Sequence, residues 1–131
     1  MKALTGILSA LLLVTAAGCS SGGTGTVDGV VTVDGKPLGG FEITYISQAN
    51  GAAYLAYAGE AGAYQLFASR GKREIPVGDY KVTVVPTAVI DNVPRPKVQL
   101  PDKYTSESQT ELVKTITKGT NQIDLVLESQ R

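Results

Sequence analysis

The chain has 131 residues, twelve basic and twelve acidic side chains and a formal net charge of zero. That is about one domain's length, and with Lys and Arg spread along it there is no basic stripe, which argues against nucleic acid as a partner. It has no histidine and no tryptophan, and its single cysteine, Cys19, allows no internal disulfide, so stability has to come from packing.

"MKALTGILSALLLVTAAGC" reads as an export signal covering residues 1–18. Lys2 supplies a short positive start, and Ala3 to Val14 is an apolar stretch broken only by Thr5, Gly6 and Ser9. Ala16, Ala17 and Gly18 are small enough for a signal peptidase. A membrane-spanning helix needs about 20 apolar residues, and this run is shorter. Small, small, Cys after an apolar run resembles the bacterial lipobox. The resemblance implies diacylglyceryl transfer to the Cys19 thiol, cleavage before Cys19 and acylation of the new amine. The pattern departs from the lipobox at Ala16, where leucine is usual. Two or three acyl chains give stable membrane anchoring, whereas one is marginal. By analogy with lipoprotein sorting, Ser20 after the cysteine, rather than aspartate, points to the outer membrane. Residues 19–25, "CSSGGTG", then read as a flexible Gly/Ser tether.

From Thr26 onward short β-rich runs alternate with turn residues. They are 26–33, 41–47, 52–58, 63–67, 80–85, 112–117 and 122–128. Asp34-Gly35 is a hairpin-type turn signal, and Pro37 is a strand-ending residue. Phe41, Ile43 and Tyr45 point one way, as do Tyr80, Val82 and Val84, and Ile123, Leu125 and Leu127. "KGTN" reads as the turn joining the last two strands. Seven such strands fit an antiparallel two-sheet sandwich, because a single sheet would leave its apolar face in water. The connection 86–111 contains Pro86, Pro94, Pro96 and Pro101. Proline cannot donate to a ladder, so this segment is expected to be extended and mostly unpaired, as a contact loop or as a strap over the sandwich.

Four segments carry a family resemblance. "VDGVVTVDGKPLGGFEITYI", "AGEAGAYQL", "IPVGDYKVTV" and "LPDKYTSESQTELVKTITKGTNQIDLVL" resemble, in order and spacing, the carboxypeptidase regulatory-like domain of planctomycete-type bacterial lipoproteins. The similarity covers 27–128 and departs in the second hairpin, where Ala58, Gly59 and Ala61 replace the usual Thr, Asp and Asp. It implies an all-β, seven-stranded, transthyretin-like (prealbumin-like) Greek-key sandwich over 26–131, and it implies little about activity. Gly35 and Gly62 suit positions of positive φ. Tyr80 reads as a packing tyrosine at a sandwich corner, its hydroxyl bonded to a nearby carbonyl.

Without histidine a Ser-His-Asp triad is impossible, and the lone Cys19 cannot build a zinc site. Hydroxyisourate hydrolases share the sandwich but depend on histidines. Asp28, Asp34, Asp79, Asp91, Asp102 and Asp124 are dispersed, with no D-x-D-x-D-G calcium loop. Lys36 in a turn and Asn121 at a strand edge make a poor isopeptide pair. No catalytic residue, metal ligand or cofactor is therefore expected. Tyr54, Tyr57 and Tyr64 fall close together along the 52–67 hairpin, either as core or, projecting outward, as a surface to stack on sugars or anchor a protein. The expectation is an exported envelope lipoprotein, held in the membrane through lipid on Cys19, whose sandwich is a structural or protein-interaction module. The alternative is a carbohydrate- or peptide-binding module using those three tyrosines.

Overall fold

The computed structural model describes residues 23–69 and 71–130. The signal segment 1–18 and Cys19 lie outside the described residues. Ten strand segments occur in chain order: β1 Thr24–Val33, β2 Lys36–Pro37, β3 Phe41–Ser47, β4 Ala53–Ala58, β5 Ala63–Gln65, β6 Ile75–Pro76, β7 Gly78–Pro86, β8 Val113–Ile116, β9 Gly119–Gln122 and β10 Leu125–Leu127. A single helical turn, α1 at Asp102–Thr105, precedes β8.

One sheet has the order β4-β3-β7-β8, all antiparallel. The other is built around β1. Along one edge of β1 lie β6, β5 and β2, antiparallel to it. Along the other edge lie β9 and β10, parallel to it. Two expectations are corrected here. Among the described residues there are ten strand segments rather than seven, and the pairing of β1 with the chain's last strands is parallel, so the arrangement is not antiparallel throughout.

The reason lies at the corners. "KGTN" does not close a hairpin: it carries the chain from β8 in one sheet to β9 in the other. Asn121 holds that corner from the inside. Its Nδ2 donates to the carbonyls of Thr26, Thr117 and Gly119 at 3.1, 2.8 and 3.2 Å, and its Oδ1 accepts from the Thr117 N–H at 3.0 Å. A buried amide is tolerated because it is paired. A second break separates β9 from β10, where Ile123 is half-buried and its N–H donates to the Asp28 carbonyl at 2.9 Å.

The expected alternation does set the core. Phe41, Ile43 and Tyr45 from β3, Tyr80, Val82 and Val84 from β7, and Leu125 and Leu127 from β10 are buried in one cluster. Val27, Val31 and Val33 of β1 join them, so the two sheets face each other across a shared core. Each fully buried aliphatic or aromatic side chain contributes about 1.5–3 kcal/mol. Tyr80 Oη donates to the Pro76 carbonyl at 2.7 Å, fixing the bend between β6 and β7 as the sequence indicated.

Asp34 and Gly35 have φ of 54° and 85°, the mirror-image turn that lets β2 fold straight back on β1. The proline-rich connection is a strap. Thr87 N–H donates to the Gly40 carbonyl at 2.8 Å, and Gln130 N–H to the Gln99 carbonyl at 2.8 Å. A Cβ on Gly40 would lie 2.6 Å from Pro96 Cδ and 2.7 Å from the Pro94 carbonyl oxygen. Glycine is therefore what allows the strap to lie flat. Leu100 and Tyr104 bury the strap's far end.

The tether is shorter than expected. Thr24 and Gly25 belong to β1, paired with Pro76 and Ile75 of β6, and Gly25 is buried. The segment assigned as flexible to residue 25 is strand from Thr24 onward.

Candidate functional site

β4 is the last strand of its sheet, and its residues alternate between the core and the outside. Ala56 and Ala58 point inward, while Ala53, Leu55 and Tyr57 are exposed. In a strand, residues three apart lie on opposite faces, so Tyr54 and Tyr57 cannot both project outward. Tyr57 does, with 44% of its surface exposed. Tyr54 is half-buried, its ring 6.1 Å from that of Tyr80 in an edge-on contact.

Tyr64 takes the core alternative. It is 3% exposed, because β5 turns it under β1 and toward β3. Its Oη donates to the Ile123 carbonyl at 2.6 Å and lies 2.8 Å from Tyr45 Oη. Since the Tyr64 proton goes to the carbonyl, Tyr45 donates to Tyr64. Burial pushes Tyr45 up to about 12, partly offset by this bond. Burial also raises Tyr64, and Tyr45 adds to it. Both phenols are neutral, structural groups.

Two residues that the tyrosine pattern did not point to complete the surface. Past the turn at Glu60–Gly62 the chain enters the other sheet as β5, then returns to the edge of β4. There Phe67 N–H donates to the Leu55 carbonyl at 3.3 Å, an isolated antiparallel bridge. Leu55 and Phe67 are 44% and 38% exposed. A cleft of about 850 Å³ opens between β4 and β5, lined by Leu55, Gln65 and Phe67 together with all three tyrosines, Tyr54, Tyr57 and Tyr64, the last at its buried base. The signal available for Leu55 was its place between Ala53 and Tyr57 at a spacing of two. For Phe67 there was no local signal, because its exposure depends on a bridge to a residue twelve positions earlier in the chain.

The edge of the cleft is charged on one side. The Arg73 guanidinium lies 5.9 Å from the Phe67 ring centre. Its Nη2 donates to Asp28 Oδ1 at 2.9 Å and to the Val27 carbonyl at 3.1 Å. This pair ties the loop before β6 to β1. Across the strands Glu42 sits opposite Tyr57, and partial burial together with that carboxylate raises the Tyr57 phenol.

The walls thus offer aromatic and aliphatic surface, the Gln65 amide and the Tyr57 hydroxyl. Such a set binds by stacking, burial and a few hydrogen bonds. Among the described residues no group of three or more Asp, Glu, His or Cys side chains could hold a metal ion. Cys19 lies outside the described residues. Comparison with protein-family models, curated proteins and solved structures returns no match.

Proposed function

We propose that this chain is an exported lipoprotein of a bacterial cell envelope. It is anchored through lipid on Cys19 and carries a carboxypeptidase regulatory-like, transthyretin-like Greek-key sandwich as a non-catalytic protein-interaction module. The observation that carries the interaction reading is the exposed apolar group Leu55, Tyr57 and Phe67 around one cleft. Exposed aromatic and aliphatic residues clustered at a cleft are what partner proteins use as anchors. The anchor reading rests on the small residues and the thiol at 16–19.

A photo-crosslinking amino acid in place of Tyr57, in the full-length protein in its native envelope, tests the module. A discrete protein adduct from position 57, and none from a control at exposed Lys97, is the expected result. Diffuse or equal crosslinking at the two positions would remove the reading. Cys19→Ser is expected to leave unprocessed precursor and a soluble protein.

The second reading, a carbohydrate- or peptide-binding module, is supported by Tyr57 and Phe67 standing beside Gln65, aromatic faces next to an amide. Glycan-array binding that disappears in Tyr57→Ala is its expected signature.

A further inference from the structure

The chain enters the domain at a defined place. Gly23 lies directly before β1, its carbonyl accepting the Val77 N–H at 3.1 Å. A Cβ on Gly23 would run into the side chain of Lys118, so the exposed Lys118 stands beside the entry point. The same end of the domain carries the Thr117–Gly119 corner and the start of β7 at Gly78, which pairs with Ile116. It also carries the Ser47–Gly51 turn, whose Gln48 N–H donates to the Asp79 carbonyl at 3.0 Å, and Lys72, which is bridged to Ser69 and shortly precedes β6, the strand paired with Thr24 and Gly25.

Four residue steps separate Cys19 from Gly23. Fully extended they span at most about 14 Å. β1, which starts at the entry point, is 10 residues long and so spans about 33 Å. The link from Cys19 is therefore less than half the length of the domain's central strand. A lysine at the entry point stays within about 14 Å of whatever surface holds Cys19, under two Debye lengths of about 8 Å each at physiological salt.

We infer that the domain rests end-on against the lipid headgroups, with the Thr117–Gly119 and Ser47–Gly51 turns and Lys72 facing the membrane and Lys118 contacting headgroup phosphates. This deepens the lipid-anchor reading and rests on it. The opposite end, with the Asp34-Gly35 turn and the Pro94–Pro96 part of the strap, faces away from the bilayer. The β4–β5 cleft lies along the side, where the membrane does not cover it.

The test uses the acylated full-length protein in phosphatidylcholine vesicles containing phosphatidylglycerol, with a quencher on the lipid headgroups. A fluorophore is attached at Lys118→Cys or, as the distal control, at exposed Lys36→Cys. Several-fold stronger quenching at position 118 than at 36 is expected, and a label at Lys72→Cys should behave like one at 118. Equal quenching at 118 and 36 in protein that floats with the vesicles overturns the end-on placement while leaving the anchor intact. Protein that stays out of the vesicle fraction overturns the anchor, and the placement with it.

Discussion

Tyr45 and Tyr64 meet hydroxyl to hydroxyl at 2.8 Å, one from each sheet, and Tyr64 in turn donates a hydrogen bond to the Ile123 carbonyl. This chain of two bonds joins β3 to β5 and then to the break between β9 and β10. It is a polar tie between layers that otherwise meet through apolar side chains.

Removing the middle of the chain is expected to cost more than removing its end. Tyr64→Phe leaves both the Tyr45 hydroxyl and the Ile123 carbonyl without that partner, at a cost of about 1–3 kcal/mol. Tyr45→Phe leaves the Tyr64 bond to Ile123 in place and is expected to cost about 0.5–1.5 kcal/mol. In urea titrations the double variant should lose less than the sum of the two. Strict additivity would mean that the tie is not made.

The tyrosines also set an alkaline limit. Burial raises Tyr45 to about 12. Burial, with a contribution from Tyr54, raises Tyr80 to about 12. Tyr64 is raised as well. A phenol ionises near pH 10 in the unfolded chain, so above that pH the folded state holds more protons than the unfolded one. The stability these groups contribute is complete below pH 10 and is lost as pH rises through about 12. Circular dichroism against pH should show the unfolding midpoint in urea falling across this window. In Tyr64→Phe the fall should be shallower.

Ala61 sits at φ 69° in the turn between β4 and β5, with Gly62 next at φ 78°. A side chain other than Gly, Asn or Asp pays about 1–2 kcal/mol there. Ala61→Gly and Ala61→Asn are therefore expected to stabilise by up to about 1 kcal/mol, and Ala61→Val to destabilise. Thermal melts of the three variants rank the effect, and a drop in midpoint for Ala61→Asn would contradict the left-handed turn.

Gly40 and Gly35 separate backbone strain from crowding. Both have positive φ, 92° and 85°, so alanine at either costs about 1–2 kcal/mol. Only at Gly40 does the added methyl meet another segment, Pro96 and the Pro94 carbonyl. Gly40→Ala should thus lift the strap and speed tryptic cleavage after Lys97. Gly35→Ala, with open space around its Cβ, should lower stability without exposing Lys97.

Exposed residues of the cleft answer to a different measurement from buried ones. Leu55→Ser and Tyr57→Ser remove surface that is already in water and are expected to shift stability by no more than about 0.5 kcal/mol. Loss of partner crosslinking in a variant of unchanged stability would locate the function in the cleft rather than in the core.

The sequence by itself determined which residues alternate into the core. Phe41, Ile43, Tyr45, Tyr80, Val82 and Val84 were readable because strand geometry sends every second side chain to the same face. It also determined the Asp34-Gly35 turn and the Tyr80 corner, since these are decided by a few adjacent residues. The tertiary structure alone decided where the chain changes sheet, at Thr117–Asn121 and after Gly59, and hence that β1 pairs in parallel with β9 and β10. It decided that Tyr64 goes inside while Phe67 comes out to meet Leu55, and that β1 takes two residues from the tether. Local alternation marks the two faces of a strand, but which edge a strand joins depends on contacts between residues far apart in the chain, and no short window of sequence records them.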